Sequence, residues 1–221
     1  MTLTLFDFPP QAQVGRVLPK SKVYQHGRIG AALRERFVRQ VEQITWQYKL
    51  APETINLPPR AGIEEIEIFD LALKSDTLDE DILRAIDRAI PLPIFFLLHH
   101  GQRTRMAAAY KRPSAAEAGK WVIDGYFAGD WLPAAAARRS LPVALDLHGL
   151  YEQLLRSLLP QPARPGESLP EQLERLTRLR SRQNDYGKLE IRLHREKQFN
   201  RKVALNAQLR ELKAEIDRLS A

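Results

Sequence analysis

The apolar positions along this chain change period several times, and each change predicts an element. Leu33, Phe37, Val41, Ile44 and Tyr48 fall at helical spacing, so residues 30–49 read as one amphipathic helix ended by Pro52. Residues 53–57 then read as a short strand before Pro58-Pro59. Residues 63–74 (IEEIEIFDLALK) carry the strongest strand pattern, with Ile66 and Ile68 on one face and Phe69, Leu71 and Leu73 on the other. That phase change requires either a bulge near Ile68 or a strand covered on both sides. Asp76 or Asp79 can cap a helix that carries Leu83 and Ile86 inward and runs through Ile90. Residues 93–99 (PIFFLLH) are apolar without interruption, as in a central strand. Gly101 turns the chain into residues 104–111, where Met106, Ala108 and Tyr110 alternate, so the pair reads as an antiparallel hairpin. A further strand or hairpin is expected over residues 120–131, with Asp124-Gly125 as its tight turn. Asp146 can cap a helix reaching Leu159 with a Leu150, Leu154, Leu158 stripe. Residues 1–27, broken by Pro9-Pro10 and Pro19, read as irregular.

The remainder is of a different kind. Residues 160–170 (PQPARPGESLP) form a proline-rich linker, and helical sequence resumes at 171. In the last part Phe199, Val203, Leu205, Leu209, Leu212, Ile216 and Leu219 make an apolar stripe whose final steps are 4, 3, 4 and 3 residues, the repeat of a seam facing another helix. A helix with such a stripe needs a partner, from its own chain or another. Gly187 marks where residues 171–221 would divide if they form a hairpin in place of one long coiled-coil helix. The pattern therefore predicts an α+β body over residues 1–159, with a mixed, mostly antiparallel sheet and flanking helices. The linker joins it to a coiled-coil-like helical tail.

Composition narrows the class. The chain has 221 residues, a net charge of +7 and no cysteine, which excludes a disulfide scaffold and thiolate metal ligands. No apolar run approaches the ~18 residues of a membrane span, and the first ten residues lack signal-peptide character, so a cytoplasmic protein is expected. From residue 170 onward there are 13 Lys/Arg against 8 Asp/Glu, a bias that suits a polyanion or an acidic protein surface. Both signs are interspersed there, which is also how solvated helix flanks look.

Few residues propose chemistry. Glu65, Glu67, Asp70 and Lys74 share one strand, and a metal-dependent nuclease needs carboxylates converging on a divalent ion with a lysine nearby. Ala72, however, stands two residues before Lys74, where such a site places an acid. His99 and His100 are adjacent on a strand and point to opposite faces, so they make a poor metal pair. Phosphate-binding glycine loops and nucleophile elbows are absent, and no cofactor or metal is implied. Arg103, Arg105, Lys111 and Arg112 interleave with Tyr110 and Trp131, a combination that can hold single-stranded nucleic acid or simply mark strand ends. Arg201, Lys202 and Lys213 are the tail's candidates for phosphate contact.

Several stretches together resemble a bacterial family known as domain of unknown function 4391. They are PKSKVY (19–24), WQYKLAPETINL (46–57), EEIEIFDLALK (64–74), AIDRAIPLPIFFLL (85–98), AAYK (108–111), LDLHGLYEQLL (145–155) and EKQFNRKVALNAQLRELKAEI (196–216). Leu92 stands where the family pattern favours tyrosine, a difference of packing. The resemblance implies an α+β body with a helical tail and brings no catalytic residues. It also implies a gene neighbourhood of helicase-like and DNA-methyltransferase genes in restriction or antiphage-defence clusters, an association and not a mechanism. The expectation is a non-catalytic subunit of such a complex, docking a helicase or methyltransferase subunit through its tail. A homodimer and direct DNA contact are further expectations, and no membrane is involved. The alternatives are a divergent metal-dependent nuclease and a stand-alone non-specific nucleic-acid-binding module.

Overall fold

The computed structural model describes residues 5–27, 29–114 and 121–221, which form two compact units, residues 1–159 and 160–221. In chain order the first unit holds β1 (Phe6–Asp7), a 3-10 turn, β2 (Gln13–Val17), α1 (Lys20–His26), α2 (Ala31–Gln40) and β3 (Val41–Leu50). There follow α3 (Pro52–Ile55), β4 (Ile66–Leu73), α4 (Glu80–Ala89), β5 (Ile94–His100), β6 (Arg103–Pro113) and β7 (Trp121–Ala128). The short strands β8 (Leu132–Pro133) and β9 (Arg139–Ser140) and the helix α5 (Leu147–Arg156) complete it. The second unit is α6 (Leu169–Arg195) and α7 (Phe199–Ser220).

The main sheet has the order β2-β3-β4-β5-β6-β7, with β8 beside β6, and every pair is antiparallel except β4–β5. That parallel pair exists because α4 carries the chain back from the end of β4 to the start of β5. β1 and β9 make a small parallel ladder of their own. The fold is thus α+β with a mixed, mostly antiparallel sheet.

β4 lies between β3 and β5 and is buried on both faces. Phe69, Leu71 and Leu73 face a core built with Val23 of α1, Phe37 of α2 and Ile82 and Ile86 of α4. On the other side Tyr151 of α5 packs edge-on to Phe95 with ring centres 6.0 Å apart. Burial on both faces accounts for the Ile68 pattern, because β4 pairs with β5 without a slip; the bulge nearby is in β3, between Trp46 and Tyr48.

Three local expectations are corrected. The helix expected over residues 30–49 stops at Gln40, and residues 41–50 are β3, because Val41, Ile44 and Thr45 are β-branched and pair along the whole of β4. The strand expected over 53–57 is a single helical turn, α3, ended by Asn56 in the left-handed region at φ 53°. Asp124-Gly125 is not a hairpin turn but lies inside β7, at the slip between Ala109↔Tyr126 and Lys111↔Ile123. Residue 120, the expected start of that strand, lies outside the described residues. Residues 5–27 are also not irregular as expected, since they contain β1, β2 and α1, while residues 1–4 lie outside the described residues.

Caps fall where the sequence signals them. Asp79 Oδ1 accepts from Asp81 N at 3.0 Å at the start of α4, and Asp146 Oδ1 accepts from Gly149 N at 2.8 Å at the start of α5. At α6 Ser168 and Glu171 form a reciprocal capping box. The tail is a hairpin, and it turns at residues 196–198, not at Gly187, which is inside α6. The helices run antiparallel: Arg182 Nε donates to Glu215 at 3.0 Å near mid-length, and Arg175 Nη1 donates to Leu219 O at 3.1 Å at the open end.

Candidate functional site

Of the candidate carboxylates, Glu65 and Glu67 are neighbours and Asp70 lies apart from them. Glu67 faces the helical side, 3% exposed, and accepts from Trp46 Nε1 at 2.5 Å. Burial and the neighbouring Glu65 push its pKa up to about 7. Glu65 pairs with Lys49 at 2.7 Å, and Lys49 also holds Glu53 at 2.9 Å. Asp70 faces the opposite side of the sheet and lies 2.9 Å from His99 Nε2. Lys74 Nζ donates to Val38 O at 2.8 Å. Asp70 therefore sits on the face opposite Glu67, apart from the Glu65–Glu67 neighbours, and Lys74 is held by Val38 O. Among the described residues no group of three or more His, Asp or Glu is placed to hold a metal ion.

The basic residues of β6 separate in the same way. Arg103 and Arg105 lie over the Trp131 ring, 5.6 and 4.6 Å from its centroid, so that ring is covered by cations from its own chain. Arg103 also lies 3.6 Å from Asp76. Arg112 Nε donates to Asp124 at 3.2 Å across the β6–β7 pair.

Lys111 corrects the expectation outright, because it is inside the protein at 2% exposure. Its Nζ is 2.6 Å from Asp87 Oδ1 and donates to Leu92 O at 2.5 Å and Ile90 O at 3.2 Å. Asp87 and Ile90 belong to the C-terminal end of α4, where backbone carbonyls have no partner within the helix. Tyr126 Oη donates to the other Asp87 oxygen. Burial pushes the Asp87 carboxyl up and the Lys111 ammonium down, and each charge opposes the other's shift. The group is a structural clasp between α4 and β6, out of reach of a phosphate.

The tail residues divide into two sets. Leu205 and Leu209 are buried, and Leu212, Ile216 and Leu219 are half-buried, along the antiparallel α6–α7 pair. The 4-3-4-3 stripe from Leu205 onward thus lies along the α6–α7 pair of the hairpin. The open end is fastened by Glu167, which accepts from Arg175 Nε and Nη2 at 2.7 and 2.8 Å. Arg175 holds that carboxyl down at about 2. Phe199 and Val203, by contrast, are 78% and 53% exposed at the closed end, and Ile191 of α6 is 56% exposed. Ile191 is absent from the seam pattern because the inward positions beside it are Leu189 and Leu193, which are half-buried. Arg201 and Lys202 are exposed at this same end, and Lys213 is exposed about 16 Å further along α7.

One more exposed apolar feature belongs to the first unit. Val143 and Leu145 are 92% and 87% exposed on the loop before α5. Val143 borders two grooves of about 520 and 570 Å³, one lined by Arg60, Asp146 and His148 and the other by Phe8, Pro10 and Leu57.

The described residues thus form an α+β body and a helical hairpin. The family model for domain of unknown function 4391 matches residues 6–216, and the chain belongs to that family. No curated protein and no solved structure matched it. Among the described residues no helix is long and apolar enough to cross a membrane.

Proposed function

We propose that this chain is a non-catalytic interaction subunit of a prokaryotic DNA-restriction or antiphage-defence complex. Its helical hairpin docks a protein partner, a helicase or methyltransferase subunit, and the body braces that partner. The observation that carries the docking role is the exposure of Phe199, Val203 and Ile191 at the closed end of the hairpin, while the rest of the stripe is satisfied within it. Large apolar side chains grouped on a surface mark a contact with something else. Val143 and Leu145 beside the two grooves give the body a second contact area. The defence setting rests on the gene neighbourhood implied by the family resemblance.

The nuclease alternative loses ground because Asp70 faces away from the Glu65–Glu67 neighbours, with His99 as its partner, and Lys74 Nζ donates to Val38 O. The test is co-expression of the full chain with each product of the adjacent genes and affinity purification through a tag on that product. Stoichiometric recovery of the chain with one of them supports the docking role. Recovery with none, together with metal-dependent DNA cleavage by the chain alone, would replace it with the nuclease reading.

A further inference from the structure

The closed end of the hairpin is its most exposed part: every residue from 197 to 204 is exposed. Gln198, the residue before α7, supplies no side-chain cap. The first buried residue of α7 is Leu205. Phe199 and Val203 are four residues apart and so share a face of α7, while Ile191 lies within the last five residues of α6. A helix start without a side-chain cap and with exposed apolar side chains gains order from what covers it.

The charge around these side chains is mainly positive. Residues 188–203 contain six Lys/Arg and two Glu. Of the two, Glu196 is turned onto its own connection, accepting from Lys197 N at 2.8 Å and Gln198 N at 2.9 Å. What remains is an apolar point set in a basic surround.

Resting on the docking reading above, we propose that this tip inserts into an apolar cleft rimmed by carboxylates on a partner protein. The apolar side chains need a dry cleft, and the cations need acidic groups at its rim. A second copy of this chain is a poor occupant, because two basic tips repel. A nucleic-acid duplex would take the cations but leave Phe199, Val203 and Ile191 without a counterpart. A lipid surface needs a long apolar helix face, whereas α7 turns Leu205 and Leu209 inward.

The experiment is a titration of the nitrogen-15-labelled full chain, read by amide chemical shifts. The probes are a synthetic amphipathic helix of about 20 residues with Leu and Phe on one face and Glu and Asp on the others, a polyglutamate of equal length, a DNA duplex, and phosphatidylserine–phosphatidylcholine vesicles. The acidic amphipathic helix should shift the amides of residues 189–204. Its affinity should fall about tenfold or more in the Ile191→Ser, Phe199→Ser, Val203→Ser variant, and polyglutamate should bind at least about tenfold more weakly than the helix. The variant should keep its fold because all three positions are more than half exposed, and an unchanged helical circular dichroism signal checks this. Equal binding of the helix to wild type and variant, or no shift at 189–204, overturns the proposal. Stronger shifts of the same amides by the duplex or the vesicles overturn it in favour of that occupant. Failure of the tip is separable from failure of docking. If the variant still co-purifies with the wild-type partner, the tip proposal falls and docking stands. If wild type has no partner among the neighbouring products, docking falls, and the titration still decides the tip.

Discussion

Lys111 Nζ lies 2.6 Å from Asp87 Oδ1, and the two side chains are 1% and 0% exposed. The pair joins the middle of the sheet to the end of α4, and the remaining donors of the ammonium are spent on the α4 carbonyls and Leu92 O. Replacing only one member leaves a charge buried without its counterpart, which costs about 3–5 kcal/mol. Lys111→Met should therefore lower the urea midpoint by that equivalent. The double change Lys111→Met with Asp87→Leu should recover part of the loss. If Lys111→Met is as stable as wild type, the clasp contributes nothing.

Glu67 gives the protein a pH dependence of unusual sign for a carboxylate. Its folded pKa of about 7 lies above the 4.5 of an unperturbed glutamate, because burial and Glu65 disfavour the charge. The folded state thus binds this proton more tightly than the unfolded chain. The contribution is fully present below pH 4.5 and is lost as pH rises through about 7. Glu67→Gln keeps an acceptor for Trp46 and cannot ionise. It should match wild type near pH 4.5 and be more stable at pH 8, by about 2–3 kcal/mol in urea unfolding. A difference of the same size at both pH values would contradict this.

Leu209 is buried in the hairpin seam, so a charge there acts on the fold of the second unit before it acts on any partner. Leu209→Asp puts a carboxylate into a dry contact at a cost of several kcal/mol. Helical circular dichroism should fall. Fluorescence of Trp46, Trp121 and Trp131, all in the first unit, should not change. Loss of both signals would mean that the first unit does not fold without the hairpin.

Binding to DNA should be weak and set by salt. Log affinity should fall by about 0.9 per phosphate contact for each unit of log salt on a duplex. Replacing the exposed Arg201, Lys202 and Lys213 should reduce that slope. A Lys111→Met variant that remains folded should leave it unchanged, because that ammonium is buried. No magnesium- or manganese-dependent cleavage should be seen. Cleavage abolished by Glu65→Ala or Lys74→Ala would restore the nuclease reading.

Much of the architecture was legible where the signal is local. Asp79, Asp146 and Gly101 each act within four residues of themselves, and the elements they bound stand where the spacing placed them. β3 was not legible, because Leu33, Phe37, Val41, Ile44 and Tyr48 happen to satisfy a helical period. Only pairing with β4 turns residues 41–50 into a strand. Lys111 was misread for a related reason: a sequence shows a charge but not its partner. One clue was present, since Lys111 is in phase with the buried Ala107 and Ala109 and out of phase with Tyr110. In the tail the stripe itself was visible, and Phe199 and Val203 were in it. That α6 would meet the stripe from Leu205 onward and leave those two uncovered depends on the hairpin turning at residues 196–198.

The docking role is tested most directly by native mass measurement of the full chain co-expressed with its neighbouring gene products. The predicted result is a mass equal to this chain plus a helicase or methyltransferase subunit in fixed ratio. A mass of this chain alone, under conditions where those products are folded and present, would contradict it.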